Sequence, residues 1–441
     1  MQIDLLKYYK KSNIINFLFM TLPISFIVGN LAININIILL VFYVLFNYKT
    51  QIFKLNFNFL DKLIIIFFSY SFLVGILNFL IEYNAYDTFF FPYITKSFLY
   101  LRFLLLYFII KFIVLKNLLN LKYFILIASI CSIFVCLDLG LQYIYGKDIF
   151  GYKSIDPRRL GGPFGDELIA GSFIQRFSIF VFFLFVIYPK DKFFSKNLNV
   201  FLNLLFFFLI LFGLIASGNR VPMIMFILLF LISFAIIKET RKYLIPSFFI
   251  LLSTLYLFAN NNQNIRHHFG HFNNQLIEFK EFFLTIIIKE KESTIIAENY
   301  VAEINNKKIQ IPNVYIKEFY SGYSSWKRNI FFGGGIDSFQ INCPRAGNIN
   351  CPSHPHNYYF EILSELGLLG LILIMAIFFT ILKKILTKNL IFNQKIINPF
   401  FCLTLIELFP FKTTGSFFTT GNATYFFLIL STTISLIYLK K

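Results

Sequence analysis

Two side chains in this sequence stand out by type and setting. The first is the imidazole of His356, in Ser353-His354-Pro355-His356-Asn357-Tyr358-Tyr359-Phe360-Glu361, where a long polar stretch runs back into the apolar run Leu366 to Leu382. Histidine accepts a proton near neutral pH, and a residue at the boundary of water and lipid can meet both a lipid-anchored substrate and a second reactant. The second is the guanidinium of Arg220, in Ala216-Ser217-Gly218-Asn219-Arg220-Val221-Pro222. It stays charged and makes paired hydrogen bonds to phosphate oxygens, and the small residues before it let the backbone turn close to a ligand. An arginine that merely anchors a helix end among lipid headgroups fits the same residues.

Further polar clusters surround these two. Arg158-Arg159-Leu160-Gly161-Gly162-Pro163-Phe164-Gly165-Asp166-Glu167-Leu168 reads as a tight surface loop, in which Arg159, Asp166 and Glu167 offer both signs of charge, for an internal salt bridge or for substrate contact. His354 and Asn357 flank the candidate base, and Lys327 and Arg328 follow Trp326. Arg102 and Arg176 fall inside apolar runs, where an isolated charge needs a partner or a polar cavity. Pro410 to Phe418 reads as a turn, with Lys412 a candidate headgroup contact. Cys343 and Cys351 are spaced to form a disulfide in an oxidising exterior, closing a small loop just before the histidines. Two unpaired thiols, or a zinc site completed by His354 and His356, are the alternatives. His267, His268 and His271 lack an acidic or cysteine partner nearby and read as a solvated face. No nucleotide-binding glycine motif follows a strand and no His-Glu-x-x-His pattern occurs, so neither cofactor nor nucleic acid is expected.

The elements that must position these residues are membrane helices. Hydrophobic residues make up 57% of the 441 and charged residues 14%. Those proportions exclude a soluble domain. Apolar runs lie at 13–30, 31–47, 62–81, 97–115, 122–143, 169–188, 199–217, 221–238, 243–259, 362–384, 397–411 and 422–439, which predicts an all-α polytopic protein of about twelve transmembrane helices. Lysines mark alternate loops: Lys7, Lys10 and Lys11; Lys49, Lys54 and Lys62; Lys111, Lys116 and Lys122; Lys190, Lys192 and Lys196; Lys238 with Arg241 and Lys242; Lys383, Lys384, Lys388 and Lys395; Lys440 and Lys441. Basic loops face the cytoplasm, so 146–168, 218–220, 260–361 and 412–421 are expected outside. The first run is expected to act as an uncleaved anchor, for it lacks a small-residue cleavage site. The chain divides into spans 1–9 (1–259), a long, partly helical extracytoplasmic loop (260–361) and spans 10–12 (362–441). Apolar spacing over Leu276 to Ile288 predicts one helix inside that loop.

Three segments in this order, Ser217-Gly218-Asn219-Arg220, Trp326-Lys327-Arg328-Asn329-Ile330-Phe331-Phe332-Gly333-Gly334-Gly335 and His354-Pro355-His356-Asn357 running on to Gly370, resemble the O-antigen ligase and O-antigen polymerase superfamily. With the span plan, the resemblance covers about residues 60–430. It implies a metal-independent glycosyltransferase of the bacterial inner membrane, with its active site facing the periplasm. The donor would be a glycan on a polyprenyl-diphosphate carrier, and the acceptor a lipid A core or a growing repeat-unit chain. His356 and Arg220 match the family's catalytic positions. Arg159, Glu167, Asn357, Arg328, His354 and Lys327 are the candidate substrate contacts. Ligases of the family often carry an arginine just before the tryptophan; Ser321-Gly322-Tyr323-Ser324-Ser325 has none, leaving Lys327, Arg328 or Arg345 as stand-ins. A transporter or flippase of lipid-linked glycans is the competing class, although it would more typically show repeated halves and helices interrupted at mid-membrane.

The lysine asymmetry sets a topological test. Reporter fusions after Lys196 and Lys388 should read as cytoplasmic and those after Asn262 and Asn348 as exterior. A cytoplasmic signal at Asn348 would remove the two-sided setting argued for His356.

Overall fold

With no water inside a bilayer, a chain this apolar must satisfy its own backbone, and it does so as helices. The computed structural model describes residues 12–86, 92–156, 158–187, 196–238, 241, 244–261, 301–304, 307–310, 314–348, 351–388, 390, 394–413 and 415–439, with isolated positions between 263 and 277. Among these, six helices are long and apolar enough to cross a membrane: Asn30–Tyr48, Phe59–Ile81, Tyr93–Leu115, Leu121–Tyr145, Tyr358–Thr387 and Thr420–Tyr438. Shorter apolar helices, Ser12–Val28, Ala170–Leu184, Val200–Ala216, Arg220–Ile236, Ile245–Leu257 and Ile397–Glu407, stand at the remaining apolar runs. The chain is a helical multi-pass membrane protein. Two short strands, Val301–Ile304 and Lys307–Gln310, pair antiparallel ahead of the helices Val314–Lys327 and Phe339–Arg345. Most of the helix expected over Leu276 to Ile288, with His268 and His271, lies outside the described residues.

Thr420–Tyr438 forms the centre of the bundle. It packs against Asn30–Tyr48, Arg102–Leu115, Tyr358–Thr387 and Ile397–Glu407, and 83% of its span window is buried inside the protein. That position explains its composition. Ser431, Thr432, Thr433 and Ser435 each donate to a carbonyl four residues back, so small hydroxyl side chains sit inside the bundle fully bonded while neighbouring helices pack closely on them. Outer helices instead present Leu31, Phe42, Phe46 and Ile245, which are largely exposed on the protein and suited to lipid.

Lys111 departs from the expected topology pattern. It does not mark a loop but lies inside Arg102–Leu115, fully buried and paired with an equally buried Asp61. Asp61 also accepts from the Tyr107 hydroxyl at 2.6 Å, and the ammonium donates to the Asn56 carbonyl at 3.2 Å. Each charge therefore has its opposite and a hydrogen bond, the condition under which a low-dielectric interior tolerates it.

The helix Tyr358–Thr387 is broken at Gly367, whose φ is +66°. The break strands carbonyls on one side and amides on the other, and the turn Ile330 to Gly335 supplies partners for both. Gly334 N donates to Ser364 O (3.0 Å) and Gly335 N to Glu365 O (2.8 Å), while Leu368 N donates to Ile330 O (2.9 Å). Tyr70 adds its hydroxyl to Leu366 O at 2.7 Å. Backbone meets backbone so closely that a Cβ on Gly367 would lie 2.3 Å from Phe331 O, and one on Gly333 would lie 2.4 Å from the Glu365 carbonyl carbon. Two segments singled out in the sequence thus meet here as one braced joint.

Gly333→Ala should cost on the order of 1–3 kcal/mol, through positive φ and backbone collision together. Gly347, with φ +82° but nothing within 4 Å of an added Cβ, is the control. Thermal melts in detergent should place Gly333→Ala well below Gly347→Ala; equal midpoints would discredit the brace.

Candidate active site

The site begins at the start of the helix Tyr358–Thr387. Asn357 caps it: its side-chain oxygen accepts from Tyr359 N (2.9 Å) and Phe360 N (3.3 Å), satisfying amides that the first turn leaves orphaned. Its amide nitrogen donates to Pro410 O at 2.7 Å and reaches Lys412 O at 3.4 Å. Asn357 is 2% exposed, so it holds structure together rather than facing a ligand. The residue before it, His356, has φ +50°, a left-handed conformation that costs a non-glycine residue roughly 1–3 kcal/mol and persists only where the surroundings impose it.

One source of that constraint is the helix Val314–Lys327. A Cβ on Gly322 would lie 2.8 Å from Pro355 Cβ and 2.7 Å from Phe360 Cβ, so only glycine lets this helix come so close to the histidine loop. One turn earlier, on the same face, stands Glu318. Its carboxylate oxygen lies 3.6 Å from His356 Nε2, with the two side chains 15% and 36% exposed. Burial pushes the Glu318 pKa up to about 7, against a smaller opposing pull from Lys317. His354 packs its ring against His356 at 4.0 Å between centroids, and its Nδ1 shares a hydrogen bond with Ser353 Oγ at 2.9 Å.

The preceding loop is pinned to the same helix. Cys343 and Cys351 are joined as a disulfide, which removes both thiols from the zinc alternative. Asn348 donates to Ser324 Oγ (2.7 Å) and to Cys343 O (3.0 Å), and Gln340 reaches Ser353 O at 3.4 Å. Arg328 donates to the Arg345 carbonyl, and Lys327 lies 4.7 Å over the Tyr323 ring. The two cations therefore sit at the end of Val314–Lys327, engaged locally.

Arg220 opens the helix Arg220–Ile236, which packs against Ala170–Phe177 and Ile397–Glu407. The turn before it is buttressed from the 158–171 segment. Asn219 accepts from Gly171 N (3.1 Å) and donates to Leu168 O (3.1 Å), and Leu160 N donates to Ala216 O (3.2 Å). Arg159 also reaches Leu168 O, at 3.4 Å. A Cβ on Gly218 would lie 2.3 Å from Arg158 O and 2.8 Å from Arg159 Cγ. Arg159 is thereby held against the turn that presents Arg220. Arg159 thus bonds a carbonyl and not Glu167, which lies on the wall of a cavity of about 570 Å³.

A buried polar network lies behind the His356 loop. Arg176 lies 3.5 Å from Glu407, 2.7 Å from Asn422 Oδ1 and 3.3 Å from the Tyr358 hydroxyl, two residues along from His356. Lys412 lies 2.5 Å from Glu407 and is only 6% exposed, so it serves this network and not a lipid headgroup. Glu361, one turn into the helix, accepts from Phe417 N at 2.6 Å.

Residues 205–375, which contain Arg220, Glu318, Gly322, His356 and Gly367, match the family model described as O-antigen ligase. Over this segment the chain is similar to the O-antigen ligase family. No curated protein sequence matches it. Within the matched region, the sequence singles out His356 and Arg220 as candidates but gives no prominence to Glu318, which the structure places beside His356. Its only sequence signal was an acid four residues before a glycine, on a helix leading to Trp326. The partners of Arg176 also went unseen, for Tyr358, Glu407 and Asn422 come from three other elements.

The raised Glu318 pKa has a defined sign. Folding favours the protonated acid, so the stability this group contributes is fully present below its ordinary value near 4.5 and is lost as pH rises through about 7. An ionised Glu318 is what would support a positive His356. Any activity that uses His356 as a base should therefore climb as pH rises through about 7, and Glu318→Gln should lower it roughly 10- to 100-fold without loss of stability at pH 8. A Glu318→Gln protein that transfers normally at pH 8 would remove Glu318 from the site.

Proposed function

We propose that this protein transfers a glycan from a polyprenyl-diphosphate carrier to an acceptor hydroxyl, either on a lipid A core or on a growing repeat-unit chain. In this reading it sits in the bacterial inner membrane as about twelve spans, with the site facing the periplasm and the 260–361 segment covering it. The observation that carries the proposal is the His356–Glu318 pair, held at 3.6 Å within the O-antigen ligase match.

The chemistry follows from the groups. His356 Nε2 takes the proton from the acceptor hydroxyl, and Glu318 stabilises the imidazolium that results. The freed oxygen attacks the anomeric carbon, and the bond from that carbon to the diphosphate oxygen breaks, its electron pair leaving on the diphosphate. Arg220, a permanent cation with paired donors, offsets the charge developing there, with Arg159 held against the same turn. No nucleotide is required, because the lipid diphosphate brings the bond energy, and the guanidinium supplies the charge offset that a metal would otherwise give.

Purified variants assayed with a synthetic polyprenyl-diphosphate glycan test this. His356→Ala should lose about 10²- to 10⁴-fold in transfer while still binding the donor. Arg220→Lys should lose roughly 10²-fold, since an ammonium keeps the charge without the paired bonds. His354→Ala should be milder. Near-normal turnover by His356→Ala would sink the base assignment, and loss of wild-type activity in EDTA would overturn metal independence. Movement of the donor across vesicles without any glycosidic bond formed would favour a flippase instead.

A further inference from the structure

The cavity beside the 163–173 segment has no part in the chemistry above. It holds about 570 Å³, within the roughly 300–1,000 Å³ of small-ligand sites. Its walls come from three places distant in sequence: the junction of the first two helices at Gly29 and Asn30, Tyr152 with the strip Pro163 to Phe177, and Gly415 to Asn422. The lysine pattern assigns the helix junction, the 146–168 loop and the 412–421 loop to one side of the membrane.

Its chemistry is selective. Asp166 and Glu167 are exposed at the wall, alongside Asn30, Ser172 and the aromatic rings of Tyr152 and Phe173. Among the described residues lining it, Arg176 is the sole cation, and that guanidinium is already engaged by Glu407, Asn422 and Tyr358. Carboxylates repel phosphate, whereas carboxylates, amides and hydroxyls beside aromatic faces match the hydroxyls and apolar faces of a sugar ring. The strip has two sides. Asp166, Glu167, Ser172 and Phe173 line the cavity, while Leu168 O and Gly171 N bond Asn219, next to Arg220. A group in the cavity is thus separated from the Arg220 turn by one thickness of backbone.

We infer that this cavity is a saccharide subsite, taking a neutral or amino sugar of a glycan substrate and excluding its phosphate. The inference rests on the transferase reading, and the sugar belongs either to the donor glycan or to the acceptor.

The test uses full-length protein in detergent, with the oligosaccharide released by mild acid from the source cells' surface glycan as probe and inorganic pyrophosphate as control. Saturation-transfer NMR should show the oligosaccharide binding wild type and His356→Ala alike. The double variant Asp166→Asn/Glu167→Gln, altered only at exposed side chains, should bind it at least tenfold more weakly, and Ser172→Trp, which fills the space, should abolish binding. Pyrophosphate affinity should not fall in either. A raised KM for the lipid-linked donor would assign the sugar to the donor, and a raised KM for acceptor to the acceptor. Wild-type oligosaccharide affinity in both variants would overturn the subsite. Oligosaccharide binding by wild-type protein that transfers nothing would leave the subsite standing and refute the transferase reading instead.

Discussion

A backbone amide or carbonyl buried among apolar helices has no water to turn to, and each one left unpaired costs several kcal/mol. This site is nonetheless assembled from backbone that cannot satisfy itself: a helix start at Asn357, a helix break at Gly367 and a sharp turn at Gly218. Each is answered by a specific partner. Asn357 closes the first turn and ties it to Pro410. The 330–335 turn closes the break. Asn219 and Leu168 close the turn before Arg220. Removing irregular backbone would be easier for the bundle, but regular helices could not present an imidazole and a guanidinium from their ends.

The buried charges obey the same rule in electrostatic form. Arg176, Glu407 and Lys412 form one connected group, and Asp61 with Lys111 another. In a medium where opposite charges attract strongly and lone ones are prohibitively costly, such groups fix the register of the helices that supply them. The first group lies directly behind Tyr358, so the position of the His356 loop is coupled to Ile397–Glu407 and Thr420–Tyr438 as well as to its own helix.

Much of this was legible in the sequence because lipid imposes a one-dimensional rule. Apolar runs long enough to approach a crossing were read nearly in place, and helices stand at all of them. The turn before Arg220 and the helix start after His356 were legible because their residues, small ones before a turn and asparagine before an apolar run, have local meanings. Asn357 was read as a substrate contact, but the local signal it carried was that of a cap. What could not be read were contacts made between elements. Glu318 meets His356 across 38 positions, and only the absence of a side chain at Gly322 brings them together. Lys111 looked like a loop marker because charge alone does not reveal a buried Asp61 fifty residues earlier. Lys412 was misplaced for the same reason.

The central position of Thr420–Tyr438 bears on how the protein is made. This helix follows the other described helices in sequence, is the least hydrophobic of the six long ones with a mean hydropathy of 1.3, and contacts helices both distant and adjacent in sequence. Its contacts are therefore of long sequence separation and form late. Until it inserts, the earlier helices surround an unfilled centre, and Arg176 and Phe177 lack the Asn422 and Tyr425 they pack against. The polar network behind the His356 loop is therefore complete only once this helix is in place.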